Sequence, residues 1–152
     1  MVSGIKYIHT NLVARDWRAL ASFYERVMGC VPVPPERDYT GAWLGRLTGI
    51  DGAALRGVHL RLPGCGEDGP TLEIFQYSPE VEPGTKAVNR PGFTHLAFIV
   101  EDLEGLLGRI VAEGGHPVGE TIELELPGAG VTTSIVYVTD PEGNILELQQ
   151  RH

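Results

Sequence analysis

The chain has 152 residues, a length that fits a single domain, and its 42% hydrophobic and 21% charged residues predict a folded globular protein rather than a disordered one. The formal net charge is −8 and no long basic run occurs, which argues against nucleic acid or an anionic membrane as a partner. Because no apolar stretch approaches the roughly twenty residues of a membrane span and no secretory signal precedes the first strand, we expect a cytoplasmic protein whose Cys30 and Cys65 are reduced.

The first predicted elements are a strand and an amphipathic helix. Residues 5–13 (IKYIHTNLV) alternate in polarity, which places His9 and Asn11 on one face of the strand. Asp16 is a candidate N-cap for a helix whose apolar residues recur at helical spacing until Gly29. Extended segments follow over residues 31–39, 57–62 and 71–77. Residues 40–55, which include WLGRLTGI, predict a short helix or a flap.

The second half of the chain repeats this order. Residues 93–100 (FTHLAFIV) predict a strand, Asp102 caps the next helix, and extended segments cover residues 117–126, 132–139 and 144–149. Aligning His9 with His95 also aligns Asp16 with Asp102, at the same offset of 86 positions. The sequence therefore predicts an α+β fold of one domain, residues 1–152, in which two tandem βαβββ modules, residues 5–77 and 93–149, are joined by the linker 78–92.

Four residues occupy equivalent places in the two predicted modules. His9 and His95 lie on the first strands, and Glu73 and Glu147 lie near the middle of the last strands. Alternation points each carboxylate away from the helix-packed side of its sheet, where an enclosed charge needs a partner. Two imidazoles and two carboxylates form a ligand set that suits Zn, Ni, Co, Mn or Fe, so we predict a divalent-metal site.

The remaining histidines fall outside the symmetric pattern. His59, His116 and His152 are interpreted as structural or surface residues. His59 precedes Glu73 within the same module and is kept as a candidate for lining the cavity and transferring protons. Together with His59, the residues predicted to bind substrate are Asn11, Trp43, Phe75 and Tyr77.

The segments IHTNLVARD, FTHLAFIVED, TLEIF and YVTDPEGNILEL resemble the vicinal oxygen chelate superfamily, also called the glyoxalase/bleomycin resistance/dioxygenase family. The resemblance covers nearly the whole chain, and it implies two βαβββ modules that curl into a cup-shaped mixed sheet around a metal. The His-Glu-His-Glu pattern looks like that of glyoxalase I and of methylmalonyl-CoA epimerases. It implies a lyase or isomerase that acts on a small carbonyl or thioester substrate through a metal-stabilised enediolate, with Glu147 or Glu73 as the acid and base.

The sequence also departs from these relatives. Glyoxalase I commonly carries an Arg for glutathione four residues after its first His, where this chain has Val13, and the epimerases often carry an acid on the third strand, where RGVHLRL has none. The use of glutathione or of coenzyme A therefore stays open. Family habit and exposed sheet edges favour a homodimer, in which the cup closes within one chain or across two chains.

Two other functions are compatible with the same residues. A non-haem Fe(II) dioxygenase that cleaves a ring or oxidises a keto acid needs only two histidines and one carboxylate. A non-catalytic drug-binding protein would use the cup without turnover, with Tyr7, Trp43, Phe75 and Tyr77 lining the cavity.

Overall fold

The first half of the chain forms a mixed four-stranded sheet. The computed structural model describes residues 3–152, and contacts divide the chain into two compact units, Met1–Glu82 and Pro83–His152. The elements of the first unit are β1 His9–Val13, α1 Trp17–Arg26, β2 Val31–Tyr39, α2 Ala42–Thr48, β3 Ala54–Arg61 and β4 Thr71–Ser78. The strand order is β1-β4-β3-β2, with β1 parallel to β4 and the other pairs antiparallel.

The second unit repeats this topology. Its elements are β5 His95–Ile99, α3 Leu103–Ala112, β6 Ile122–Glu125, β7 Thr132–Thr139 and β8 Ile145–Arg151. The order is β5-β8-β7-β6, again with the first and last strands parallel. In the part of the chain that the structure describes, two sheets and three helices confirm the predicted α+β fold of βαβββ type. No helix among residues 3–152 is long and apolar enough to cross a membrane.

Helices α1 and α3 each pack their apolar stripe against one face of the sheet in their own unit. In the first unit, fully buried side chains of α1 meet alternate residues of β3 and β4. These core residues are Leu20, Phe23, Tyr24, Val58, Leu60, Leu72 and Ile74. In the second unit, α3 contributes Leu106 and Ile110, and the strands contribute Val136, Val138, Leu146 and Leu148. Because side chains alternate along a strand, the residues between these core positions face the opposite side of each sheet.

The unmatched segment of the first half contains α2, which confirms the short helix among the two predicted alternatives. The helix ends at Gly49, whose φ of 72° closes the last turn through a hydrogen bond from its N–H to the carbonyl of Gly45. Leu44 of α2 packs with Leu55 and Phe75. The helix therefore belongs to the face of the sheet that carries Glu73.

Several predicted strand starts are wrong; among them, β3 begins at Ala54 rather than at residue 57, and β8 begins at Ile145 rather than at residue 144. β1 begins at His9 rather than at residue 5, and β5 begins at His95 rather than at residue 93. The first ladder pair is His9 with Thr71, and the residue before Thr71 is Pro70, which has no N–H to extend the ladder. β6 begins at Ile122, because Pro117 makes only an isolated bridge to Val138.

Candidate metal centre

Strand register brings three ligand-type side chains of the first unit together. In the parallel pair of β1 and β4, Asn11 is the partner of Glu73, and His9 is the partner of Thr71. In the antiparallel pair of β3 and β4, His59 lies directly opposite Glu73. Glu73 is therefore the central residue of the group, flanked by Asn11 on one strand and His59 on the other.

The distances place both imidazoles at the Glu73 carboxylate. His59 Nε2 lies 2.8 Å from Glu73 Oε2, and His9 Nε2 lies 3.6 Å from Glu73 Oε1. The Asn11 amide donates to Glu73 Oε1 at 2.8 Å. One ligand atom from each of His9, His59 and Glu73 can be chosen so that all three lie within 4.8 Å of one another. This is a spacing at which one cation can bind all three after small side-chain movements.

The surroundings favour the neutral form of His59. Burial lowers its pKa, the Glu73 charge opposes this shift, and the charges of Arg37 and His9 add to it. A neutral imidazole is the form that binds a metal. On the other side of the ring, His59 Nδ1 lies 3.0 Å from the Thr71 hydroxyl.

The second unit carries a smaller version of this arrangement. His95 Nε2 lies 3.1 Å from Glu147 Oε2, and the Gln149 amide donates to Glu147 Oε1. Tyr137 occupies the position opposite Glu147 that His59 occupies opposite Glu73. Burial raises the pKa of Tyr137, and a hydrogen bond to Glu147 and the charge of that carboxylate raise it further.

Both carboxylates are enclosed without a strong positive partner. Glu73 is 9% exposed and Glu147 is 8% exposed. Within residues 3–152, neither forms an ion pair with Lys or Arg, and their partners are imidazoles and neutral donors. Since a buried carboxylate without a compensating charge is costly, this donor chemistry fits a divalent cation.

The structure places the four predicted ligands as two pairs, one in each unit. His9 pairs with Glu73, and His95 pairs with Glu147. Their joint role as ligands of one ion stays a prediction. The roles of Glu73 and Glu147 as acid and base also stay predictions.

The predicted substrate-binding residues lie in different surroundings. Asn11 and His59 contact Glu73, as described above. Phe75 belongs to the buried cluster that it forms with Leu44 and Leu55, and Tyr77 packs against this cluster. Trp43 is 46% exposed and makes an edge contact with Tyr39 at a centroid distance of 5.6 Å. Tyr7 is exposed.

Sequence reasoning missed His59 as a possible metal ligand and missed Tyr137 altogether. Symmetry between the two halves does not single out His59, because its counterpart in the second half is Tyr137. The available signal was the hairpin that joins β3 and β4. Counting outward from its turn residues would have placed His59 opposite Glu73.

Comparison with known proteins decides the family. The model of the Glyoxalase/Bleomycin resistance protein/Dioxygenase superfamily matches residues 6–148. The chain belongs to this superfamily. The glyoxalase-like topology of both units agrees with the match, and the resemblance seen in the sequence is confirmed.

Individual relatives are distant. A probable lactoylglutathione lyase of Vibrio parahaemolyticus is 28% identical over 153 aligned positions, covering 98% of this chain and 93% of the relative. A glyoxalase family protein of Bacillus cereus has a TM-score of 0.76 at 20% identity, with coverage of 99% of this chain and 95% of that one. A fosfomycin resistance protein of Listeria monocytogenes, solved with Mn(II) and sulfate, has a TM-score of 0.54 at 14% identity, covering 99% and 93%. At these identities the two structures support the glyoxalase fold and not a particular reaction.

Proposed function

We propose that this glyoxalase-superfamily protein is a divalent-metal-dependent lyase or isomerase that moves a proton next to the carbonyl of a small carbonyl or thioester substrate. The observation that carries the proposal is the repeated pair of an imidazole and a buried carboxylate, His9 with Glu73 and His95 with Glu147. The relative described as a probable lactoylglutathione lyase supports the same reaction class.

In this proposal His9, Glu73, His95 and Glu147 are metal ligands, and each carboxylate has a second task. A bound divalent ion would supply Lewis-acid stabilisation of the enediolate that forms when the substrate loses its proton. The protein must then take up that proton and return it. A carboxylate can do this when the acidity of the substrate has been raised toward its own.

Glu147 is the stronger candidate for the base. Both carboxylates have partners at each oxygen, but Glu73 faces two imidazoles, His9 and His59, and the Asn11 amide donates to its Oε1, so Glu73 is the more firmly held as a ligand. Glu147 has one imidazole, and its other partners are Gln149 and Tyr137. The Tyr137 hydroxyl can donate to the Glu147 carboxylate and so positions it.

The deciding experiment is metal analysis of the purified protein followed by an assay of hemithioacetal isomerisation with Ni or Zn. We expect one equivalent of metal per chain and metal-dependent turnover. Glu147→Gln should lower kcat by about 100-fold to 10,000-fold, the usual contribution of a positioned acid or base. Glu125→Gln is the matched control, because Glu125 is exposed on β6.

The outcomes separate the proposal from its alternatives. Metal no higher than trace levels would defeat it. Bound metal without turnover, together with tight binding of a hydrophobic ligand that survives His9→Ala and His95→Ala, would identify a binding protein instead. A methylmalonyl thioester belongs in the same substrate screen, because Val13 stands where an Arg for glutathione is expected.

A further inference from the structure

The two units differ in how many metal-binding atoms they present. The second unit offers His95 and Glu147, and Tyr137 occupies the third position of the register. The first unit offers His9, Glu73 and, in that same third position, His59. The ring contacts also correspond between the units. The rings of His9 and His59 meet edge-on with centroids 5.6 Å apart, and those of His95 and Tyr137 meet edge-on with centroids 5.1 Å apart.

The first-unit group has the spacing of a coordination site. Two atoms that each bind one ion at about 2.1 Å are separated by about 3.0 Å when they subtend a right angle at the ion, and by about 4.2 Å when they lie on opposite sides of it. His59 Nε2 and Glu73 Oε2 are 2.8 Å apart, and His9 Nε2 and Glu73 Oε1 are 3.6 Å apart. Since the three chosen atoms lie within 4.8 Å of one another, close to this upper limit, modest side-chain movements bring them around one ion.

The Thr71 hydroxyl orients His59 as an outer-shell partner orients a metal ligand. It lies 3.0 Å from Nδ1, and a hydroxyl can accept the Nδ1 proton. With the proton on Nδ1, the Nε2 lone pair faces the Glu73 carboxylate, where a cation would be held. The predicted ligand His95 has the same support, because the Thr94 hydroxyl lies 3.0 Å from its Nδ1.

We propose that His59 is a metal ligand, and that His9, His59 and Glu73 hold a divalent transition-metal ion within the first unit without needing His95 or Glu147. The inference rests on the proposed function for the presence of a metal, and it adds a ligand and a division of labour. The first unit is sufficient to retain the ion, and the pair His95 and Glu147 serves the substrate.

The test uses the full chain after removal of metal with a chelator, titrated with Co(II) by calorimetry and visible absorption. The double variant His95→Ala/Glu147→Gln should still bind one Co(II) per chain, within about 10-fold of the wild-type affinity. Adding His59→Asn to that double variant should weaken binding by at least about 100-fold, more than the loss of an outer-shell partner does. His116→Asn, which changes an exposed histidine, should leave binding unchanged.

A second measurement keeps the test decisive if the triple variant folds poorly. Proton NMR of the Co(II) form of the double variant should show two strongly shifted imidazole N–H signals, and His59→Asn should remove one of them. Thr71→Val should keep the metal but weaken binding by about 10-fold to 100-fold, because it removes only the outer-shell hydroxyl. Circular dichroism of each variant verifies its fold.

Each outcome has one meaning. If wild type binds Co(II) but the double variant does not, the first unit is not a site on its own and the inference fails while the proposed function stands. If His59→Asn changes neither affinity nor the number of shifted signals, His59 is not a ligand. If wild type binds no metal, both the inference and the proposed function fail.

Discussion

The two thiols of the chain lie in opposite environments. Cys30 is 4% exposed, whereas Cys65 is exposed. Burial raises the pKa of Cys30 to about 12, and the negative charge of Glu25 adds to the shift. Because the thiolate is the reactive form, Cys30 should be inert in the folded protein.

We therefore predict that a thiol reagent at pH 8 modifies one cysteine in the native protein and two in urea. Cys65→Ser should abolish the native reaction, and Cys30→Ser should leave it intact. The pKa of the unfolded thiol is near 9.0, whereas the folded thiol stays protonated up to about pH 12. This group should therefore lower the free energy of unfolding as the pH rises from about 9 toward 12. Rapid native labelling of Cys30 would contradict the burial argument.

Gly57 allows two strands and an aromatic ring to approach closely. A Cβ built at this position would collide with the Ile74 carbonyl and with the Phe75 ring. Phe75 lies on the face that carries Glu73, so the ring would have to move within the candidate site. Any side chain at position 57 should therefore disturb both the sheet and the site.

Gly57→Ala should lower the free energy of unfolding by about 1–3 kcal/mol, the usual cost of overpacking. Gly108→Ala is the matched control, because the new methyl would meet nothing within 4 Å on helix α3. There the change should stabilise the protein by about 0.4–1 kcal/mol. Urea unfolding of both variants measures the difference, and equal effects would show that the close approach at Gly57 relaxes freely.

At the scale of the elements, the same capping device begins both long helices. Asp16 accepts from the Ala19 N–H, and Asp102 accepts from the Gly105 N–H. A glutamine from the last strand of each unit adds a further acceptor. The Gln76 side chain accepts from the Trp17 N–H at 3.3 Å, and the Gln150 side chain accepts from the Leu103 N–H at 2.9 Å.

Asp102→Ala should lower the free energy of unfolding by about 1 kcal/mol, because it removes the acceptor for an N–H at the start of α3. Glu101→Ala, at the exposed neighbouring position, should change it by less than about 0.5 kcal/mol. Thermal unfolding of the two variants side by side provides the measurement. Equal values would indicate that water replaces the cap without loss.

An element could be predicted from the sequence when the residues that determine its ends lie within the element or next to it. Helices α1 and α3 each begin where an Asp precedes an apolar stripe, so both of these starts were predicted. The strand β2 was also predicted at its observed bounds, Val31–Tyr39. The starts of β1 and β5 were not, because an alternating segment is a strand only where a partner strand lies beside it. The partner of β1, β4, begins at Thr71 after a proline, and the partner of β5, β8, begins at Ile145.

The sequence predicted as metal ligands those residues of the candidate site that recur in both halves of the chain, and not those that differ between the halves. His9 and Glu73 stand out because His95 and Glu147 recur at equivalent places. His59 and Tyr137 break the repeat, and their position depends on cross-strand register, which a single sequence specifies only through the length of a turn. Asn11 contacts Glu73 for the same reason of register.

At the scale of the whole molecule, metal binding and stability should be linked. A ligand that binds only the folded state raises the free energy of unfolding by about 2.7 kcal/mol at a free concentration of 100 Kd. For a chain of about this length, each kcal/mol raises Tm by about 2–4 °C. Saturation of the proposed site with Zn or Ni should thus raise Tm by about 5–10 °C, and a chelator should reverse the change.

The net charge of −8 makes a control necessary, because any divalent cation screens repulsion among the acidic groups of the chain. Mg²⁺ provides that control, since it prefers oxygen ligands and water and gains little from imidazoles. A calorimetric scan should therefore show the large shift with Zn or Ni and only a small shift with Mg²⁺ at equal ionic strength. The double variant Glu73→Gln/Glu147→Gln should retain the small shift and lose the large one. If it keeps the large shift, the stabilising ion binds elsewhere, and the buried carboxylates do not serve as its ligands.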